Sequence, residues 1–223
     1  MTLMIERTPP QTQASEGADP PEADQAYLRP RRWTRAEYYR LGEAGFFDGL
    51  RVELLDGEIW TLPPQETPHF SAIRRATASL AEAFGPGFEI REQAPLALDD
   101  GTEPEPDVVV VAGSSRDYED HHPASTEVHL LIEVSDATLR KDRGEKAEDY
   151  ARAGIADYWI INLVHRQLEV FRDPLVRPDD AFYRSSQILL PGQSVAPLSV
   201  PEREVEVAEL FPSVPSPAAH RPA

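Results

Sequence analysis

Three short, almost continuous apolar runs constrain this chain most: residues 108–111 (VVVV), 130–134 (LLIEV) and 158–163 (YWIINL). Runs of this length read as strands buried on both faces, and such strands need helices packed above and below them. Between the second and third runs lies a helical segment expected over about 140–153 and ended by Gly154, so a strand–helix–strand crossover is expected there. Its two strands should lie parallel, with a right-handed connection.

The flanking segments extend the pattern. Thr34 is a good N-cap for a helix over about 35–44, with Gly45 ending it. RVELLDGEIWTL reads as a hairpin around Asp56-Gly57. Pro68 opens a helix to about Phe84, with Ile73, Ala76, Leu80 and Phe84 on one face and GPG after it. Residues 87–98 are expected as a strand ended by Asp99-Asp100-Gly101, and residues 113–126 as a polar loop. QLEVFRD reads as the hairpin partner of the third apolar run, and 175–211 as β-rich. The whole is an α/β domain, a mixed sheet flanked by helices. Residues 1–30, with PP pairs and no apolar periodicity, are expected to be a disordered acidic leader. Residues 31–211 are expected to be a single domain, and 212–223 a Pro/Ala tail.

Charge and composition exclude several functions. The chain has 39 acidic and 22 basic side chains, a net charge of −17. Residues 31–211 alone hold 34 acids against 19 bases, which argues against gripping nucleic acid with the whole surface. There is no cysteine, so disulfides, thiolate zinc, iron–sulfur clusters and a cysteine nucleophile are excluded. No apolar stretch approaches the roughly 20 residues of a membrane helix. A signal core is also missing from the first 30 residues, and a cytoplasmic location without membrane contact is expected.

Four side chains stand out. Asp107 follows Pro106 at the start of a buried strand. Glu133 interrupts an apolar run, where a carboxylate is costly unless a cation faces it. Period-two alternation puts Leu131, Glu133 and Ser135 on one face and Ile132 and Val134 on the other. Lys146 and Lys141 are the only two lysines beside 20 arginines, and both lie within thirteen residues of Glu133. Lysine supplies a compact point charge on a flexible stem, suited to a phosphate oxygen or an attacking water. Asp142, Lys146 and Tyr150 fall on one helical stripe. Glu53 lies in the hairpin strand. Each has a plainer reading: a turn-capping Asp107, a Glu133–Arg ion pair, an Asp–Lys surface pair with a packed Tyr150.

Other candidates carry less. His121 and His122 sit in a polar loop where solvated charge is the simpler account. His69 stands at a helix start, either lining a cleft or packing there. Ser114-Ser115 lacks a nucleophile-elbow context, and the glycines lack phosphate-loop spacing. Trp60 and Trp159 are expected in the core or at an interface, with no base-stacking platform evident.

The strings VELLDGEI, EPDVVVV, IEVSDAT, D-x-x-x-K-x-x-x-Y and AGIADYWIINL, over roughly residues 31–175, resemble the Uma-two family of restriction-endonuclease-like proteins in the PD-(D/E)XK superfamily. The resemblance implies an αβββαβ core, here with an extra N-terminal helix and hairpin and a β-rich C-terminal extension. It implies that Asp107 and Glu133 are catalytic and bind Mg²⁺ or Mn²⁺, with an Ile132 or Val134 carbonyl completing the shell. The superfamily lysine two residues after the second acid is Ser135 here, and Lys146 on the next helix is expected to replace it. Glu53 matches an early acidic position. The implied activity is metal-dependent endonucleolytic hydrolysis of nucleic acid, DNA foremost, gripped through a local basic patch of Arg74, Arg75, Arg140, Lys141 and Arg143. The alternative is a weak or inactive nuclease-like domain acting as a binding or assembly module, a homodimer built through 175–211.

Overall fold

The computed structural model describes residues 30–213, and the chain divides between Arg31 and Arg32, the part from Arg32 being the one described below. The expected leader, and the tail beyond residue 213, lie outside the described residues.

Helix α1 (Arg35–Glu43) starts where Thr34 accepts the Glu37 N–H while the Glu37 carboxylate accepts the Thr34 N–H, a reciprocal capping box. Strands β1 (Val52–Leu55) and β2 (Glu58–Thr61) form the expected hairpin. Its turn has positive φ at both Asp56 and Gly57, the pair of conformations a two-residue hairpin turn needs. A side chain at 57 would also come within 2.6 Å of Arg32 Cβ, so glycine is required twice over. Helix α2 (Thr67–Phe84) carries proline in its first turn and stops at Gly85.

The main sheet has six strands in the order β3-β4-β5-β6-β7-β8: β3 (Phe88–Glu92), β4 (Val108–Ala112), β5 (Val128–Ser135), β6 (Asp157–Asn162), β7 (Gln167–Arg177) and β8 (Asp180–Leu189). All neighbours are antiparallel except β5 and β6, which are parallel as the crossover requires. A small pair, β9 (Ser194–Val195) and β10 (Val205–Glu206), lies beyond it. Among the described residues no helix is long and apolar enough to cross a membrane.

Strand alternation divides the core in two. Val108, Val110, Leu130, Ile132, Val134, Trp159 and Ile161 pack with the apolar stripe of α2. Val109, Val111, Leu131, Tyr158 and Ile160 pack on the opposite side with Ala147, Tyr150 and Ile155. Glu133 and Ser135 share the second face with Leu131 by strand period.

Two expected elements are different. The strand at 87–98 ends at Glu92, because Gln93 takes φ +48 and turns the chain out of the ladder, while its N–H still donates to the Asp107 carbonyl at 3.1 Å. The helix at 140–153 is two helices, α3 (Leu139–Arg143) and α4 (Glu145–Arg152). They join at Gly144, whose φ −106 and ψ −101 lie outside the helical region. A Cβ at 144 would sit 3.1 Å from the Arg140 carbonyl oxygen, a tight contact that the neighbouring backbone would have to ease. The polar loop at 113–126 contains two short 3₁₀ turns.

Candidate active site

Asp107 immediately precedes β4, and the register Val108↔Ile132 sets it across from Glu133. The Asp107 N–H points to Glu133 Oε2 at 3.4 Å, and the Val134 N–H donates to Asp107 Oδ2 at 2.9 Å. Two neighbouring strands thus deliver both carboxylates to one place, at the C-terminal end of β5. Crevices outside the carboxyl ends of strands are where open α/β sheets place their sites.

Lys146 reaches the same place from the first turn of α4. Its ammonium lies 3.0 Å from Glu133 Oε1 and 3.2 Å from Glu53 Oε2, and it is buried. Glu53 comes from β1 and is wholly buried; its other oxygen lies 3.4 Å from Lys141 Nζ. Tyr150, one turn beyond Lys146, donates its hydroxyl to Glu133 Oε1 at 2.6 Å. All four expected residues therefore meet, and both lysines are held by Glu53. Ser135, at the position where the superfamily carries lysine, donates instead to Asp142 Oδ2 at 2.5 Å, and Thr138 donates to the same oxygen at 2.6 Å. That position tethers α3, and the ammonium arrives from α4.

Three further partners join them: His69, expected either to line a cleft or to pack at a helix start, lines the cleft, and the roles of Gln93 and Tyr150 were not legible in the sequence. His69 Nε2 lies 3.1 Å from Asp107 Oδ1, and Gln93 Nε2 donates to the same oxygen at 3.3 Å. Tyr150 read as packing and proves to be a hydrogen-bond donor. Pro68 before His69 was the one available signal, since it fixed the helix start. Nothing marked Gln93.

The electrostatics follow from burial. Desolvation pushes the Glu133 carboxyl up to about 8, with Asp107 adding to it and Lys146 opposing. Burial works against the Lys146 charge, but Glu133, Glu53 and Asp142 outweigh it and hold the ammonium protonated. His69 is likewise pulled against burial, its pKa raised by the Asp107 carboxylate. Desolvation also raises Asp142. Burial thus makes the Glu133 and Asp142 carboxyls hold their protons more tightly than free carboxyls do.

These groups line a cavity of about 210 Å³ whose remaining wall includes Trp60, Leu62, Pro63 and Pro64. Of the five cations expected to form a basic patch, Lys141 alone lines it. Arg74, Arg75 and Arg143 pair with Glu92, Glu209 and Glu169. His121 pairs with Asp120 in its exposed loop. Trp159 is core, whereas Trp60 is 38 % exposed at the cavity wall.

Residues 35–208 match the sequence profile of the Uma2 family, described as "Putative restriction endonuclease". No curated protein matches the chain. Solved structures do, among them the crystal structure of "a putative nuclease belonging to DUF820" from Anabaena variabilis ATCC 29413. It is 17 % identical, covers 80 % of this chain and 97 % of that one, and superposes with a TM-score of 0.58, a likeness of fold. The profile match spans both strands, both helices and the hairpin that build the cleft, and the chain belongs to the Uma2 family.

Proposed function

We propose that this chain is a divalent-metal-dependent endonuclease that hydrolyses phosphodiester bonds in nucleic acid, using Asp107, Glu133 and Lys146. The observation that carries the reading is their convergence: two carboxylates from adjacent strands and one buried ammonium from α4, all within one cleft. Among the described residues no group of three or more His, Asp and Glu side chains is arranged to hold an ion. The protein's share of a metal shell is then two hard carboxylates, a donor set that fits Mg²⁺ or Mn²⁺, which retain several waters. A backbone carbonyl, with Val134 lining the cleft, would add to it.

When bound, the ion neutralises phosphate charge and lowers the pKa of a coordinated water. The protein's own groups do the rest. His69 and Gln93 fix the Asp107 carboxylate from one side while the Val134 N–H fixes it from the other. Lys146 presents a fixed positive charge to the oxygen on which charge develops. Glu53, which among the described residues reaches only lysines and the Glu105 N–H, is a positioning residue for that charge.

Purified chain incubated with plasmid or oligonucleotide and Mg²⁺ or Mn²⁺ should cleave, and Asp107→Ala should lose cleavage by at least about a hundredfold. No cleavage by the wild type, or equal cleavage by Asp107→Ala, overturns the reading.

A second reading, a nuclease-like assembly module, is favoured by one observation. Strand β8 is a ten-residue sheet edge, and residues 185–201 carry no charged side chain, with Ile188 and Leu190 exposed. Unprotected edges pair with other edges. This reading expects a dimer that Ile188→Lys dissociates in sedimentation, with no Mn²⁺ binding by the wild type.

A further inference from the structure

We infer that the cleft takes an unpaired strand, single-stranded nucleic acid, with one base stacked on Trp60. This rests on the nuclease reading above and names the substrate form.

Trp60 stands opposite Glu53 in the β1–β2 register, so both project from the same face of the hairpin into the cleft. Its ring is fixed by the Lys141 ammonium, 3.9 Å from the ring centroid, and that ammonium is in turn 3.4 Å from Glu53. Leu62, Pro63 and Pro64 continue the wall. No other Trp, Tyr or Phe among the described residues lines this cavity. The tryptophan is thus preorganised, partly exposed, and in the same cleft as the two acids.

The charge around it disfavours a duplex. Seven carboxylate side chains line the cleft against Arg51, Lys141 and Lys146. Arg51 is tied to Glu105 at 3.2 Å, and both lysines are tied to Glu53. Duplex binding draws its affinity from many uncompensated Lys and Arg contacts to phosphates. This cleft supplies a place for one phosphate, at the acids and their ion, and an acidic rim for its neighbours. Affinity must then come from a contact that does not count phosphates. Base–aromatic stacking is such a contact, and only an unpaired base offers its π-face to a wall residue. The acids themselves are buried, Asp107 to 8 % and Glu133 to 3 % exposure, so the phosphate has to enter. A flexible strand bends inward, whereas a duplex holds its phosphates on the outside of a stiff cylinder.

The test is fluorescence anisotropy of the full chain in Ca²⁺, to hold off turnover, with a labelled single strand of DNA, the same strand as RNA, and the DNA strand paired as a hairpin duplex. The single strand, as DNA or RNA, should bind about tenfold tighter than the duplex, and Trp60→Ala should weaken it about tenfold while leaving the duplex unchanged. Trp60→Phe, which keeps a π-face and the packing of the wall, should stay within roughly threefold of wild type. Thermal melts of both variants show whether the fold is kept. Equal binding of duplex and single strand, single-strand binding by a folded Trp60→Ala within about twofold of wild type, or no binding of any probe overturns the inference. If Trp60→Ala leaves binding unchanged but plasmid is still cut in Mg²⁺, the nuclease reading survives and the stacking one falls. If binding depends on Trp60 but nothing is cut, the outcome is the reverse.

Discussion

Lys146 is buried between two carboxylates from different strands, and neither acid has another cation as close. Removing the ammonium leaves Glu133 without its cation and Glu53 with Lys141 alone. Lys146→Ala is expected to destabilise the fold by about 3–5 kcal/mol, measured by urea denaturation at neutral pH. Adding Glu53→Gln to that variant should recover part of the loss; an additive double mutant would show that the three groups do not act together. At this scale the sequence was informative where a residue broke its own local pattern. Glu133 inside an apolar run and lysine in an arginine-rich chain both did so. His69, Gln93 and Tyr150 broke nothing, and their roles arise from contacts across 38, 14 and 17 residues of chain.

Gly144 decides where that ammonium goes. It joins α3 to α4 outside the helical region, with the Arg140 carbonyl 3.1 Å from where a Cβ would stand. Gly144→Ala should cost about 1–3 kcal/mol by crowding that carbonyl, and lower cleavage more than stability alone explains, because Lys146 stands two residues later. A variant that melts and cleaves like wild type would remove Gly144 from the account. Elements with a local cause were legible: the capping box at Thr34, the Asp56-Gly57 turn, the proline-led α2, and the parallel β5–β6 pair. Each of the two misplaced boundaries had a breaker in view. Pro95 stands inside 93–98 and cannot donate to a ladder, and β3 ends just before it at the positive φ of Gln93, whose side chain bonds Asp107. Gly144 was a visible breaker, but the stripe of Asp142, Lys146 and Tyr150 continued across it, so spacing alone read one helix.

Over the whole molecule the excess of acids shows in stability. Burial, reinforced by Asp56 and Glu148, pushes the Asp149 carboxyl from 3.8 up to about 7. The folded state therefore holds a proton there that the unfolded chain has released. Its contribution is fully present below the unfolded value and is lost as pH rises through about 7. Asp149→Asn should flatten the fall in melting temperature between those limits; an unchanged slope would assign the fall to other acids. With a net charge of −17, added salt should also raise the melting temperature by screening self-repulsion. Charge balance was readable from composition. What composition could not show is that Arg74, Arg75 and Arg143 spend their charge on Glu92, Glu209 and Glu169, leaving the cleft acidic.

The most direct measurement is Mn²⁺ binding followed by electron paramagnetic resonance, on wild type and on Asp107→Ala and Glu133→Gln. The account expects one saturable site per chain in the wild type, lost or weakened at least about tenfold in either variant. A wild-type chain that leaves Mn²⁺ free in solution, or variants that bind it as well as wild type does, would contradict it.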